Sequence, residues 1–199
     1  MWWLIPIGIA VGLKLIYDSV SDNERAARRN WQEKRKDVER SIEEHRANIG
    51  KHLDQAQSSY DFHFLTDLHF SSHKVADSAY RLLKDARCSR NGLGKMIMKS
   101  KEQRTSLENQ LKSARTNNRQ AEINDIINQL KLVNDLRRNL FDDNDTLKSQ
   151  VQDFMNEVKR LNAQTARLKE AIRDRCGQRG IDWYNRLEER KRLRRSGNS

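Results

Sequence analysis

The chain has 199 residues, a formal net charge of +11 and a mean hydropathy of −0.98. Its only proline is Pro6, and Ala, Glu, Lys, Leu and Arg make up about 42 % of it, a composition that belongs to long helices and coiled coils. An all-β domain, a doubly wound α/β enzyme and a Pro-rich linker are excluded on these grounds. The two cysteines, Cys88 and Cys176, lie far apart and outside any C-x-x-C pair. They make no disulfide framework and fit a reducing compartment.

Residues 1–17 read MWWLIPIGIAVGLKLIY, with 13 hydrophobic side chains and Lys14 as the one charge. As a helix this run reaches about 26 Å, close to the roughly 30 Å of a hydrocarbon core. Trp2, Trp3 and Tyr17 suit the two interfaces, and Lys14 can snorkel. A signal peptide would carry a positive leading region and a small-x-small cleavage site, and neither is present. The reading is a transmembrane anchor over 1–17. Basic residues follow the span and none precedes it, so the long polar region is expected in the cytoplasm and the N-terminus outside. A plasma (inner) membrane is the expected location. Gly8 and Gly12 stand in GxxxG spacing and offer a membrane-helix dimer face.

Residues 18–88 form the expected membrane-proximal helical region. Ser21-Asp22-Asn23-Glu24 has capping-box spacing and starts a helix. A thin apolar stripe follows at Trp31, Val38, Ile42, Ile49, Leu53 and Ala56. Ser59-Tyr60-Asp61-Phe62-His63-Phe64 breaks its phase, and a second stripe runs from Leu65 to Ala86. Residues 89–95, with Asn91-Gly92 and Gly94, are expected to form a glycine hinge.

Residues 96–176 are the coiled-coil region. Its stripe begins at Leu107, Leu111 and Ala114 and is disturbed at Thr116-Asn117-Asn118. Ile126, Val133, Leu140, Leu147, Phe154, Leu161 and Leu168 then recur every seven residues. The alternating set contains Arg137, Asn144 and Thr165, and a seam of this kind predicts helix pairing and a homo-oligomer. The alternative is a helical hairpin turning at Asp142-Asp143-Asn144-Asp145. The fold class is therefore all-α, a membrane helix followed by long helices in a coiled coil, hairpin or bundle.

Residues 177–199 form a basic aromatic tail after Gly177 and Gly180. Trp183 and Tyr184 precede Arg186, Arg190, Lys191, Arg192, Arg194 and Arg195, a cluster suited to anionic lipid or to nucleic acid. A second basic stretch covers 90–119.

No constellation for catalysis stands out. Gly92-Leu93-Gly94-Lys95 is similar to the end of a phosphate-binding loop, but Ser89 and Met96 occupy the required Gly and Ser/Thr positions and no strand leads in. His69 and His73, with His63 nearby, share a helix face, yet no third and fourth ligand completes a metal site. No enzyme, metal or cofactor is therefore expected. The layout resembles, in architecture alone, that of small bacterial inner-membrane scaffold proteins. Two functions are carried forward: a membrane-anchored cytoplasmic scaffold or adaptor that self-associates and binds protein partners, and a membrane-tethered nucleic-acid-binding protein acting through 90–119 and 186–195.

Overall fold

A computed structural model describes residues 14–196, apart from the side chains at 53 and 54. Four helices account for nearly all of it: α1 (Asp22–Ser58), α2 (Phe62–Thr116), α3 (Gln120–Arg175) and α4 (Gly177–Ser196). No strand occurs among the described residues. Residues 14–18 form a helical turn before α1. Among the described residues no helix is long and apolar enough to cross a membrane. Most of the span expected over 1–17, with Gly8 and Gly12, lies outside the described residues.

Local chemistry explains each boundary. Ser21 and Glu24 form the capping box reciprocally: the Glu24 amide donates to Ser21 Oγ at 3.3 Å, and the Ser21 amide to Glu24 Oε2 at 3.0 Å. Asp61 caps α2 by accepting from the His63 and Phe64 amides at 2.9 and 3.2 Å. Between α2 and α3, Asn118 adopts a φ of 50°. The Arg119 amide then reaches Ala114 O and the Asn118 amide Arg115 O, the paired bonds of a Schellman stop. Between α3 and α4 the same left-handed position is Gly177, with a φ of 58°.

The expected hinge at 89–95 is absent: α2 runs through it unbroken. Glycine within a helix costs about 1 kcal/mol relative to alanine, and packing at Gly92 accounts for its presence there. A Cβ on Gly92 would lie 3.1 Å from Glu24 Cβ and 3.2 Å from Val20 Cγ1. The residue is small because another segment crosses it. The chain turns instead at 117–119, where the apolar stripe is disturbed. The turn considered at Asp142–Asp145 does not form either; α3 continues through it.

The chain divides into two units. Unit 1 comprises Met1–Glu33 and Lys84–Gln152. There the second half of α2 and the first half of α3 form an antiparallel hairpin, as a three-residue connection requires. Leu107, Ala114, Ile126 and Val133 are its buried core, with Leu111, Ile123 and Leu130 packed on it. The start of α1 joins through Trp31, 4 % exposed, whose Nε1 donates to Gln150 Oε1. Ion pairs Lys95–Glu24 and Arg28–Asp143 reinforce the joint.

Unit 2 comprises Lys34–Leu83 and Asp153–Ser199. Ala56, Leu65 and Ile172 form its buried cluster, with Phe62, Phe64, Leu68, Cys176 and Trp183 around it. Arg46 pairs with Glu157. Arg175 donates to the carbonyls of Ala56 and Gln57 and so caps the end of α1, whose last turn has no basic residue of its own. Gly180 is buried, and a Cβ there would lie 2.1 Å from Ile172 O. Only glycine lets α4 start this close to the end of α3.

All seven seam residues are buried: Ile126, Val133, Leu140 and Leu147 in unit 1, and Phe154, Leu161 and Leu168 in unit 2. The heptad repeat is covered by the chain's own helices. Helix pairing is thus satisfied within one molecule.

Candidate functional site

Unit 2 carries a groove of about 1150 Å³ built from three helices. From α2 come Thr66, Asp67, His69, Phe70 and His73; from α3, Asn162, Thr165, Ala166 and Lys169; from α4, Trp183, Leu187, Glu188, Arg190, Lys191, Arg194 and Arg195. Five cationic side chains thus face two carboxylates, and one of those, Glu188, pairs with Lys169 at 2.6 Å.

Helical spacing produces this lining. On α2, residues 66, 69, 70 and 73 follow the i, i+3, i+4, i+7 row of one face. On α4, Leu187, Arg190, Lys191 and Arg194 repeat the same row. Leu65 and Ile172 seat α2 against α3 in the buried cluster, and Gly180 brings α4 alongside.

The floor is aromatic and polar. His69 is 8 % exposed and meets Trp183 edge to face, with ring centroids 4.9 Å apart. Burial holds the His69 imidazole down at about 4, with the His73 ring and the Lys169 ammonium adding to the effect. His69 is therefore neutral at physiological pH. Beneath it, Ser72 Oγ and Thr165 Oγ1 share a hydrogen bond of 2.9 Å. Phe70 stands 71 % exposed at the edge, and Tyr184 lies under Lys169 at 4.5 Å.

The structure brings together two features that sequence reasoning keeps apart, the histidines and the basic tail. Of the six tail cations, Arg190, Lys191, Arg194 and Arg195 line the groove; Arg186 and Arg192 do not. Arg186 donates instead to Asp182 O. His63 is exposed and outside the lining. The tail is helical through Ser196. Trp183 is legible in the sequence beside the basic cluster, whereas its contact with His69 and the presence of Lys169 and Phe70 in the same groove are not. The i, i+3, i+4, i+7 row on α4 was the available signal, but the identity of the facing helices was not.

The His69 and His73 rings are 6.3 Å apart, and among the described residues no three His, Cys, Asp or Glu side chains converge to hold a metal. The stretch 90–119 presents less free charge than its composition suggests. Lys95, Lys99, Arg104 and Arg119 are each paired with a glutamate. Comparison of the chain with protein-family models, with curated proteins and with solved structures finds no match.

Proposed function

We propose that this protein is a non-enzymatic adaptor. Residues 1–17 hold it in the plasma (inner) membrane, the helical region is cytoplasmic, and the unit 2 groove receives an acidic segment of a partner protein. The observation that carries this reading is the groove itself: Lys169, Arg190, Lys191, Arg194 and Arg195 surround Trp183, Leu187 and the exposed Phe70. A groove that mixes cations with aromatic and aliphatic side chains fits an amphipathic acidic helix, whose carboxylates would meet the guanidinium groups. Self-association through the seam would require its seven residues to leave their own chain, so the proposal places partner binding in the groove. A GxxxG contact of Gly8 and Gly12 remains its route to a dimer within the membrane.

The second reading is nucleic-acid binding at the same place, since aromatic side chains among cations also suit stacked bases. A photocrosslinking residue at Phe70 in the full chain, expressed in cells, separates the two. A protein adduct that is lost on Lys191→Glu with Arg194→Glu supports the adaptor. A nuclease-sensitive adduct supports the second reading. Alkaline washing of membranes tests the anchor: retention is expected, and release would end the integral-membrane part of the proposal.

A further inference from the structure

The groove in unit 2 has a direction. Leu65 packs with Ile172, and Ser72 bonds Thr165, so α2 and α3 run antiparallel here. Gly180 sits at Ile172 and Glu188 pairs with Lys169, so α4 also runs back along α3. The two walls, α2 and α4, therefore share one sense, and Trp183 of α4 meets His69 of α2. Along that sense Asp67 comes first, His69, Phe70 and Trp183 follow, and Arg190, Lys191 and Arg194 come last. The groove is acidic at one end, aromatic in the middle and basic at the other. Glu188 is taken up by Lys169, whereas no ion pair within the described residues engages Asp67, Arg190, Lys191 or Arg194.

The chain carries the same order with the signs exchanged. On α3 in unit 1, Arg138, Phe141, Asp142 and Asp145 stand at i, i+3, i+4 and i+7, which places them on one helix face. All four are exposed, while Leu140 and Leu147 beside them face the seam. Phe141 is held from one side by the Arg137 guanidinium, 5.7 Å from the ring centroid. Asp143 is turned away from this row and pairs with Arg28. In chain order the row is basic, aromatic, acidic, acidic. Asp142 and Asp145 lie about one helical turn apart, as do Arg190 and Arg194.

We propose that the occupant of the groove is a second copy of this chain, docked through Arg138, Phe141, Asp142 and Asp145. The inference rests on the reading of the groove as the receiver of an acidic helix, and it names that helix. The incoming α3 runs in the same sense as α2 and α4. Arg138 then lies toward Asp67, Phe141 toward Phe70 and Trp183, and the two aspartates toward Arg190, Lys191 and Arg194. Exposed ion pairs are individually weak, so the aromatic contact supplies most of the attraction and the charges set direction and register. The heptad seam stays closed throughout. Each copy has one row and one groove, so the contact is either exchanged reciprocally in a closed dimer or continued from copy to copy.

The test uses the full chain in a neutral detergent, as a mixture of isotope-labelled and unlabelled copies with a photocrosslinking residue in place of Phe70. An adduct joining a labelled to an unlabelled copy, mapped to α3 around Phe141, is expected. Asp142→Lys with Asp145→Lys, and separately Lys191→Glu with Arg194→Glu, should each lower its yield by about fivefold or more. A chain carrying both pairs of changes should regain most of the yield, which a misfolded variant could not do. The proposal is overturned if adducts form only within one copy, if they map elsewhere, or if the combined variant recovers nothing. In cells, a Phe70 adduct to a different protein, lost on Lys191→Glu with Arg194→Glu, overturns self-docking but keeps the acidic partner. Absence of any charge-dependent protein adduct ends both readings.

Discussion

In unit 1, the buried cluster where α3 meets α2 is aliphatic, with Leu107, Leu111 and Ala114 on one helix and Ile123, Ile126, Leu130 and Val133 on the other; Ser100, Gln103 and Arg137 bury polar atoms in the same unit but outside that cluster. In unit 2 the same seven-residue repeat continues through Phe154, Leu161 and Leu168, but its surroundings are mixed. Ser72 bonds Thr165, His45 and His69 are buried, and His45 Nε2 and Gln164 Nε2 lack partners. An apolar seam gains stability from area removed from water and is indifferent to small shifts. Polar groups placed within such a seam cost desolvation and constrain register. Two of these polar residues, His69 and Thr165, line the groove. The proposed binding surface thus lies along the second half of α3.

That contrast can be broken most forcefully in the seam. Leu161 is completely buried, and Leu161→Ala should cost about 4 kcal/mol through lost transfer energy and the cavity left behind. Leu140→Ala is its counterpart in unit 1. Residue-resolved hydrogen exchange should show protection falling in unit 2 for the first variant and in unit 1 for the second. Equal losses in both units from either change would mean that they are not separable.

Gly180→Ala should follow, at about 3 kcal/mol, because its Cβ meets the backbone oxygen of Ile172, which cannot step aside. α4 would be displaced and the groove would lose its basic wall. Loss of the edge-to-face Trp183–His69 contact should appear as a change in tryptophan fluorescence. An unaltered spectrum and melting temperature would show that α4 is not held where Gly180 places it.

Acid should weaken unit 2 selectively. The His69 pKa falls on folding from 6.5 to about 4, so below 6.5 the unfolded chain takes up a proton that the folded chain refuses. Stability is full above pH 6.5 and declines as the pH drops toward 4; by pH 5 the loss should reach about 2 kcal/mol. His45, also lowered by burial and by Arg160, acts in the same direction. His69→Phe should flatten the pH dependence of unfolding over this window. A profile as steep as wild type would exclude His69 as its source.

The sequence carried some of this architecture and concealed the rest. Ser21 and Glu24 are readable because a cap is a local bargain between residues three apart. The seam from Ile126 to Leu168 is readable because burial imposes the period. Gly92 misled because the pattern of a turn and the pattern of a close helix crossing are the same letter; what distinguishes them is Val20 and Glu24, about 70 residues away. The groove was illegible for the same reason. His69, Lys169 and Arg190 share it only after α4 has packed beside α2 and α3, and no spacing along the chain encodes that.

The smallest effects should come from the two helix stops, one in each unit. Both adopt left-handed backbone, Asn118 at a φ of 50° and Gly177 at 58°. A side chain in this region strains against its own carbonyl, whereas glycine escapes the strain but loses more conformational entropy on folding. Asparagine is the best tolerated of the alternatives. Asn118→Gly should therefore stabilise unit 1 by only about 0.5 kcal/mol, while Gly177→Ala should destabilise unit 2 by about 1 kcal/mol. No atom stands within 4 Å of a Cβ built on Gly177, so this cost would be backbone strain alone, unlike the steric cost at Gly180. Denaturant melts of Gly177→Ala, Gly177→Asn and Gly180→Ala separate the two. Asparagine should recover part of the loss at 177, and if it recovers none, packing around Gly177 rather than its φ sets the preference.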